Sequence, residues 1–426
     1  MLETIKNAWR IPDLRKKLLF VVACIVVYRF GYTIFVPYVD TAALTEAFRA
    51  QSDTLIGYFN VLSGGGFSQA SIFALSIYPY INASIIMQLL QIAIPALERM
   101  VKEGGEEGRK KIASITRYVT VALAIITGFS YYMLIKSYGV LTRTDVWSAI
   151  VIILTFTAGS AFIMWLGEQI NEKGIGNGIS IILFCGIVSR MPSMVQSIVQ
   201  GLKGGSLNVV KTLLLLVIAI AIVAFIVFIT NAERRIPVQY AKRVVGRKMY
   251  GGQSTNLPMK VNMSGVMPII FASTIITVPA TIASFLTPAE GGFWDRFLDA
   301  FQQGSLAYII VYFLLILGFA YFYSTIQFNP VEVANNLKKN GGFIPGFRPG
   351  KPTSDFIKKV LNKITLMGAL FLAFIAIFPL AMSNIEGMAG LAIGGTSVLI
   401  VVGVALETVK AIEGQMLMRH YKGFLE

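Results

Sequence analysis

The sequence predicts an all-α polytopic membrane protein with ten transmembrane helices, and two observations predict it. Of its 426 residues, 55% are hydrophobic and only 14% are charged, a balance too apolar for an ordinary soluble domain. Apolar runs also recur at the length of about 20 residues that a hydrocarbon layer roughly 30 Å thick demands of a helix. The clear runs lie near 18–38, 117–136, 148–167, 213–230, 264–286, 305–327, 364–382 and 390–409. Two weaker ones, near 76–94 and 179–200, carry polar or Gly/Pro punctuation. Blocks such as Leu213–Ile229 are continuously apolar, whereas a membrane β-barrel strand alternates over about ten residues. The first run, Leu18–Pro37, is too long for a signal-peptide core and lacks a small-residue cleavage site, so it reads as the first span. Cys24 and Cys185 sit inside apolar runs without metal-ligand spacing and read as packing residues.

The formal charge of +15 is distributed asymmetrically. Lys6, Arg10, Arg15, Lys16 and Lys17 precede the first span, and Arg99, Lys102, Arg109, Lys110 and Lys111 lie between the second and third. The loop at 231–262 holds Arg234, Arg235, Lys242, Arg243, Arg247, Lys248 and Lys260, and the loop at 328–362 holds Lys338, Lys339, Arg348, Lys351, Lys358 and Lys359. Alternate connections are poor in Lys and Arg, so the positive-inside rule places both termini in the cytoplasm, as an even number of spans requires. Topology alone accounts for such a bias, but the two long loops far exceed the 2–8 residues that usually join bundle helices. Loops of that size commonly carry a binding task, and basic ones suit RNA phosphates or an acidic protein surface.

Ionisable groups within the spans, the usual mark of pumps and transporters, are nearly absent. Arg29 lies inside the first span, Glu407 near the cytoplasmic end of the last, and the single histidine, His420, in the tail. Arg29 either snorkels or meets a backbone carbonyl, or else it faces an aqueous cavity. No nucleophile–base set, metal cluster or phosphate loop is present, which argues against an enzyme and implies no metal or cofactor. The segment 55–75 is marginally apolar and interrupted by Ser63-Gly64-Gly65-Gly66. Non-helical backbone at membrane depth is tolerated where protein buries it or where it lines a water-filled cavity, so this segment implies a cavity. The following span interleaves Ile77, Ile81 and Ile85 with Asn82, Ser84, Gln88 and Gln91, and suits a wet interior or a helix–helix seam. Pro268 and Pro279, with Ser273, Thr274, Thr277 and Thr281, give the seventh span a composition that permits kinking, although plain packing explains it equally.

Four stretches in order along the chain resemble the SecY family: Asn60–Leu90, Gly167–Ser180, Leu257–Pro268, and Gly341–Gly350 with Thr353 after it. The resemblance implies a clamshell of two pseudo-symmetric, inverted five-helix halves, hinged near 200–208. In that scheme 1–17 is an amphipathic N-terminus, 18–205 the first half, 206–410 the second and 411–426 a cytoplasmic tail. It implies a protein-conducting channel in the cell membrane that passes unfolded secretory chains and releases hydrophobic segments sideways into lipid. Its pore ring falls on Ile77, Ile81, Leu183, Ile187, Ile270 and Ile400, Leu183 departing from the isoleucine common in the family. Ile77/Ile81 and Leu183/Ile187 share the i,i+4 spacing of one helical face. The plug falls on Asn60, Gly64, Gly65, Gly66 and Phe67. The lateral gate falls on Asn82, Thr274 and Val278, where Val278 replaces an aromatic frequent in the family. Arg243, Arg247, Lys248 and Arg348 match positions that dock the ribosome or the SecA motor. The partners so implied are the small subunits SecE and SecG, SecA, the ribosome, signal sequences and nascent chains, and lipid. A secondary transporter is the alternative reading; it too uses interrupted helices and inverted repeats, but it predicts a polar or charged midplane site.

Overall fold

Long helices form where the apolar runs place them, and the computed structural model describes them over residues 2–49, 60, 63–204, 208–240, 243–245, 248–250, 254–283, 305–383 and 395–422. The chain divides into two units, the first comprising Met1–Leu213, Thr277–Ser305 and Val404–Glu426, the second Leu214–Ile276 and Leu306–Gly403.

The first unit begins with α1 (Leu2–Arg10), α2 (Pro12–Gly31), α3 (Thr41–Arg49), α4 (Tyr78–Ala93) and α5 (Pro95–Lys102). It continues with α6 (Gly105–Ser137), α7 (Val146–Lys173), α8 (Gly178–Val188) and α9 (Met191–Lys203). Local chemistry sets the breaks. Pro95 forces Ile94 out of the helical region, to φ −110° and ψ 108°, and α4 and α5 meet there at a bend of 104°. Asn177 caps α8, its side chain accepting from the N–H groups of Ile179 and Ser180 at 3.1 and 3.5 Å. Between α7 and α8 the backbones nearly touch, because a Cβ on Gly178 would lie 2.0 Å from the carbonyl oxygen of Gly167. Small residues at such crossings are a common way for helices in lipid to approach closely.

The second unit receives α10 (Val209–Asn231), which begins at the end of the first, and then departs from the expectation of an all-α chain. The loop at 231–262 folds into strands β1 (Glu233–Tyr240), β2 (Arg243–Val245), β3 (Lys248–Tyr250) and β4 (Ser254–Lys260), and β5 (Gly342–Phe343) comes from the loop at 328–362. β4, β1 and β5 make one antiparallel sheet in that order, and β2 and β3 a separate hairpin. The signal is the alternation in β1, whose Ile236 and Val238 are buried while Arg235, Pro237 and Gln239 are exposed. Pro237 is tolerated because β5 pairs only with Gln239 and Tyr240, leaving β1 with one free edge at the proline. The helices of this unit are α11 (Met267–Ala283, within the unit to Ile276), α12 (Leu306–Gln327), α13 (Pro330–Lys339), α14 (Lys351–Ser383) and α15 (Gly395–Lys422, within it to Gly403). Ile236, Val238 and Met259 of the sheet share a core with Leu337, Ile344, Ile357, Leu361 and Ile364.

Among the described residues six helices are long and apolar enough to cross a membrane, or seven when α4 and α5 count as one broken span. The expected run at 179–200 is one of the six, Gly178–Lys203, in which α8 and α9 follow one another across Ser189-Arg190 with Pro192 in the first turn of α9. The runs near 18–38, 264–286 and 390–409 correspond to α2, α11 and α15, with 284–286 and 390–394 outside the described residues. α2 is interrupted as an apolar segment by Asp13, Arg15, Lys16, Lys17 and Arg29.

Two substitutions test this packing. Ile357→Ala empties a fully buried position under the sheet and should cost about 2–5 kcal/mol, read as faster proteolysis within 231–262 and 328–362 while the membrane helices stay protected. Gly178→Ala should drive α7 from α8 and cost about 1–3 kcal/mol, read as a lower thermal midpoint in detergent.

Candidate functional site

Among the described residues of the first unit, the segment from Ser63 to Ile77 is a run of turns that leads into the start of α4. Gly64 and Gly65 take φ of 66° and 92°, the left-handed region open to glycine, and Ala70 and Ser76 are held there too, at 45° and 51°. Backbone turn bonds run through the segment, such as Ser71 N–H to the Gly66 carbonyl at 3.1 Å, and side chains supplement them. The Asn60 side-chain oxygen accepts from the Ser68 N–H at 3.0 Å, and the Ser63 hydroxyl accepts from the Phe67 N–H at 3.0 Å. The strand-like stretch before α3 contributes two backbone bonds, Val36 N–H to the Ala70 carbonyl and Ile72 N–H to the Ile34 carbonyl, both 3.0 Å.

This segment has a built seat. Phe67 is 8% exposed and stacks on Tyr131 of α6, ring centres 4.2 Å apart, with Phe48 of α3 at 5.7 Å. The Tyr131 hydroxyl donates to the Phe67 carbonyl, and Thr45 of α3 donates to the Ser68 carbonyl at 3.1 Å. A Cβ on Gly159 of α7 would fall 2.1 Å from the Ile72 carbonyl oxygen, so the absent side chain is what admits the backbone. Phe67, Ala70, Ala74 and Leu75 share one core with Val36, Leu44, Phe48, Tyr131, Ile135, Ile152 and Phe156. Stacked aromatic pairs add roughly 0.5–1.5 kcal/mol beyond burial.

The predicted residues divide between the units. In the first, Ile77, Ile81, Leu183 and Ile187 are all buried, and the Ile77 side chain packs beside Ile182 over Gly167. Ile81 stands one turn beyond Ile77, its N–H bonded to the Ile77 carbonyl at 3.1 Å, and Leu183 and Ile187 share α8. In the second, Ile270 lies on α11 and Ile400, 2% exposed, on α15, where Gly403 lets the helix approach Val266. Asn82 on α4 keeps a buried side-chain oxygen without a hydrogen-bond partner, and Gln88 donates to Ser84 at 3.2 Å. Thr274 is buried on α11, and Val278 lies in the part of that helix belonging to the first unit.

Arg243 begins β2 and Lys248 begins β3 of the small hairpin, paired with Tyr250 and Val245; Arg247 lies outside the described residues, as do 55–59, 61 and 62 of the expected plug region 55–75. Arg348 is exposed in the turn before α14, between Gly346 and Gly350 at φ 87° and 106°. The turn is fixed by a bond from the Thr353 hydroxyl to the Arg348 carbonyl at 2.8 Å and by the stacking of Phe347 on Phe356 at 4.1 Å. Arg29 lies over the Tyr32 ring, 5.3 Å from its centre, with its Nη1 atom buried and unbonded. Sequence reasoning passed over the seat residues Thr45, Phe48, Tyr131 and Gly159. Their only signals were a Tyr131-Tyr132 pair and a lone glycine within apolar spans, neither of which is specific without the fold.

Comparison with known proteins adds an independent line. A model of the SecY family matches residues 71–409. The chain is 46% identical over 441 residues to the protein translocase subunit SecY of Streptomyces galbus, all of both chains being covered. It is 42% identical over 439 residues to that of Thermotoga maritima, covering 100% of this chain and 98% of the relative. The fold is similar to a solved protein-conducting channel at a TM-score of 0.66 with 18% identity, covering 94% of this chain and 92% of the other. It is also similar to Sec61 of the canine ribosome–channel complex, at 0.62 with 16% identity and the same coverage. With the matched family model spanning most of its length and relatives above 40% identity from end to end, this chain belongs to the SecY family.

Proposed function

We propose that this chain is the channel subunit of a protein translocase, passing unfolded polypeptide across the membrane and releasing hydrophobic segments sideways into lipid. The observation that carries the reading is the non-helical, glycine-punctuated segment Ser63–Ile77, seated by its own side-chain bonds among membrane-length helices. Irregular backbone there suits a stopper that closes an aqueous path. The name of the curated relatives, protein translocase subunit, supports the same reading.

In this proposal Ile77, Ile81, Leu183, Ile187, Ile270 and Ile400 form the constriction. Such a ring seals around many different side chains without holding any tightly, and its narrow apolar neck disfavours ions and water. Asn60 to Phe67 is the start of the plug beneath it. Asn82, Thr274 and Val278 line the lateral gate, and the unpartnered oxygen of Asn82 suits a seam that opens to water or to a passing segment. The ten spans make two inverted five-helix halves, 18–205 and 206–410, joined by a hinge near 200–208. Both termini and the strand-bearing lobe face the cytoplasm of a cell-membrane protein. Arg243, Arg247, Lys248 and Arg348 dock SecA or the ribosome, and SecE and SecG complete the complex. A transporter would need a polar or charged midplane, where this reading has isoleucine and leucine.

Cysteine placed at Ile81 or at Ile270 should crosslink to a secretory chain stalled in transit, and absence of a crosslink at every ring position would refute the channel reading. Arg348→Glu should reduce export severalfold while the protein still inserts, measured as precursor accumulation at equal membrane abundance; unchanged export would remove the docking role.

A further inference from the structure

The plug carbonyls at Phe67 and Ser68 each receive a side-chain donor from a different helix, Tyr131 of α6 and Thr45 of α3. The two donors are not equivalent. The Thr45 hydroxyl has one proton and a second acceptor close by, the Thr41 carbonyl of its own helix at 2.7 Å. If the plug leaves, that hydroxyl keeps a partner, so its bond to Ser68 is cheap to break. Tyr131 is 3% exposed, its ring is wedged between Phe67 and Phe156 at 4.2 and 4.9 Å, and its hydroxyl is spent on the Phe67 carbonyl. Moving Phe67 away breaks the stack and the hydrogen bond together and leaves a phenol facing an apolar wall.

We propose that Tyr131 is the latch of the plug, a positioning residue on α6 that sets how often the idle channel opens, with Thr45 as a guide that releases without resistance. This rests on the plug reading above and adds to it the residue that holds the plug shut. Of the other plug contacts, Gly64 approaching the Gly186 carbonyl and Gly159 admitting the Ile72 carbonyl are matters of fit, while Phe48 tilts against Phe67 at 5.7 Å and backbone bonds join Ala70 and Ile72 to the stretch after α2. Tyr131 supplies attraction, through both face and hydroxyl, at the one aromatic side chain of Ser63–Ala70. Because the hydroxyl and the ring act at the same residue, they can be removed one at a time: phenylalanine keeps the stack and deletes the bond.

The test uses the full chain in its assembled membrane complex, with Cys24 and Cys185 replaced by alanine and a single cysteine at Ala70, which is fully buried in the plug. Labelling by a soluble maleimide then reports the fraction of time that the plug is away from its seat. A second reporter, Ala124→Cys, lies fully buried on α6 itself and reports general loosening of that helix. Tyr131→Phe should raise idle labelling at position 70 about fivefold, the effect of one neutral hydrogen bond on a two-state equilibrium, and leave position 124 unchanged. Thr45→Val should change labelling at position 70 less than twofold. Phe67→Leu, which keeps the carbonyl and loses the ring, should raise it as well and serves if Tyr131→Phe does not accumulate. Equal rises at 70 and 124, no rise at 70, or a larger effect of Thr45→Val than of Tyr131→Phe would each overturn the latch. The plug reading fails separately: if labelling at position 70 is no faster while a secretory chain is in transit than in the idle complex, the segment is not a plug at all.

Discussion

A peptide group among membrane-spanning helices has no water to bond with, and each one left unpaired costs several kcal/mol. Helices meet that constraint locally. The stretch from Ser63 to Ile77 does so only in part, through turn bonds such as Ser71 N–H to the Gly66 carbonyl and Ser76 N–H to the Phe73 carbonyl, and the surrounding first unit supplies more. Asn60 and Ser63 bond back to Ser68 and Phe67, the stretch after α2 pairs with Ala70 and Ile72, and Tyr131 and Thr45 reach the carbonyls at Phe67 and Ser68. Three of these supports, the stretch after α2, Thr45 of α3 and Tyr131 of α6, come from elsewhere in the chain, so the irregular backbone depends on neighbours that a helix does not need. A helix carries its bonds with it, whereas displacement of this stretch would break the bonds borrowed from its neighbours.

The second unit solves a different problem, that of holding basic loops in fixed positions. Its 33-residue helix α14, about 50 Å long by helical rise, supplies Ile357, Leu361 and Ile364 to the core beneath the sheet and then continues as one of the membrane-length helices. Arg348 is thus carried on a turn clamped to the start of a rod that continues into the spans. The exposed turn and the membrane-length part of α14 are thereby joined by one continuous backbone. The short strands add no catalytic chemistry; their buried Ile236, Val238 and Met259 anchor the loop that bears Arg243 and Lys248.

Close backbone approach recurs as the means by which these parts fit. Gly178 against Gly167 brings α8 onto α7, and Gly159 admits the irregular backbone at Ile72. In lipid the hydrophobic effect does not press helices together, so contact area gained by removing side chains has to do that work through van der Waals packing. A methyl group at any of these positions is therefore a large perturbation despite its size.

Length and hydropathy alone determined that the chain is helical and crosses a membrane repeatedly, since twenty apolar residues in a row have few other fates. The Gly-rich interruption at 63–66 pointed to irregular backbone at membrane depth, and the amides of α4 to a wet interior or a helix–helix seam, because those residues are costly in lipid. Motif order along the chain was enough to place it in its family. The strands in the long loops were missed because their alternation spans only a few residues and becomes legible when Ile236 and Val238 meet α13 and α14. The seat of the plug was missed for a related reason. Nothing in the sequence ties Tyr131 to Phe67 across 64 positions, and an apolar span gives every inward-facing residue the same appearance. Periodicity shows which side chains are inside, but only the tertiary structure decides which of them meet, because that depends on helix approach distances set by a few glycines.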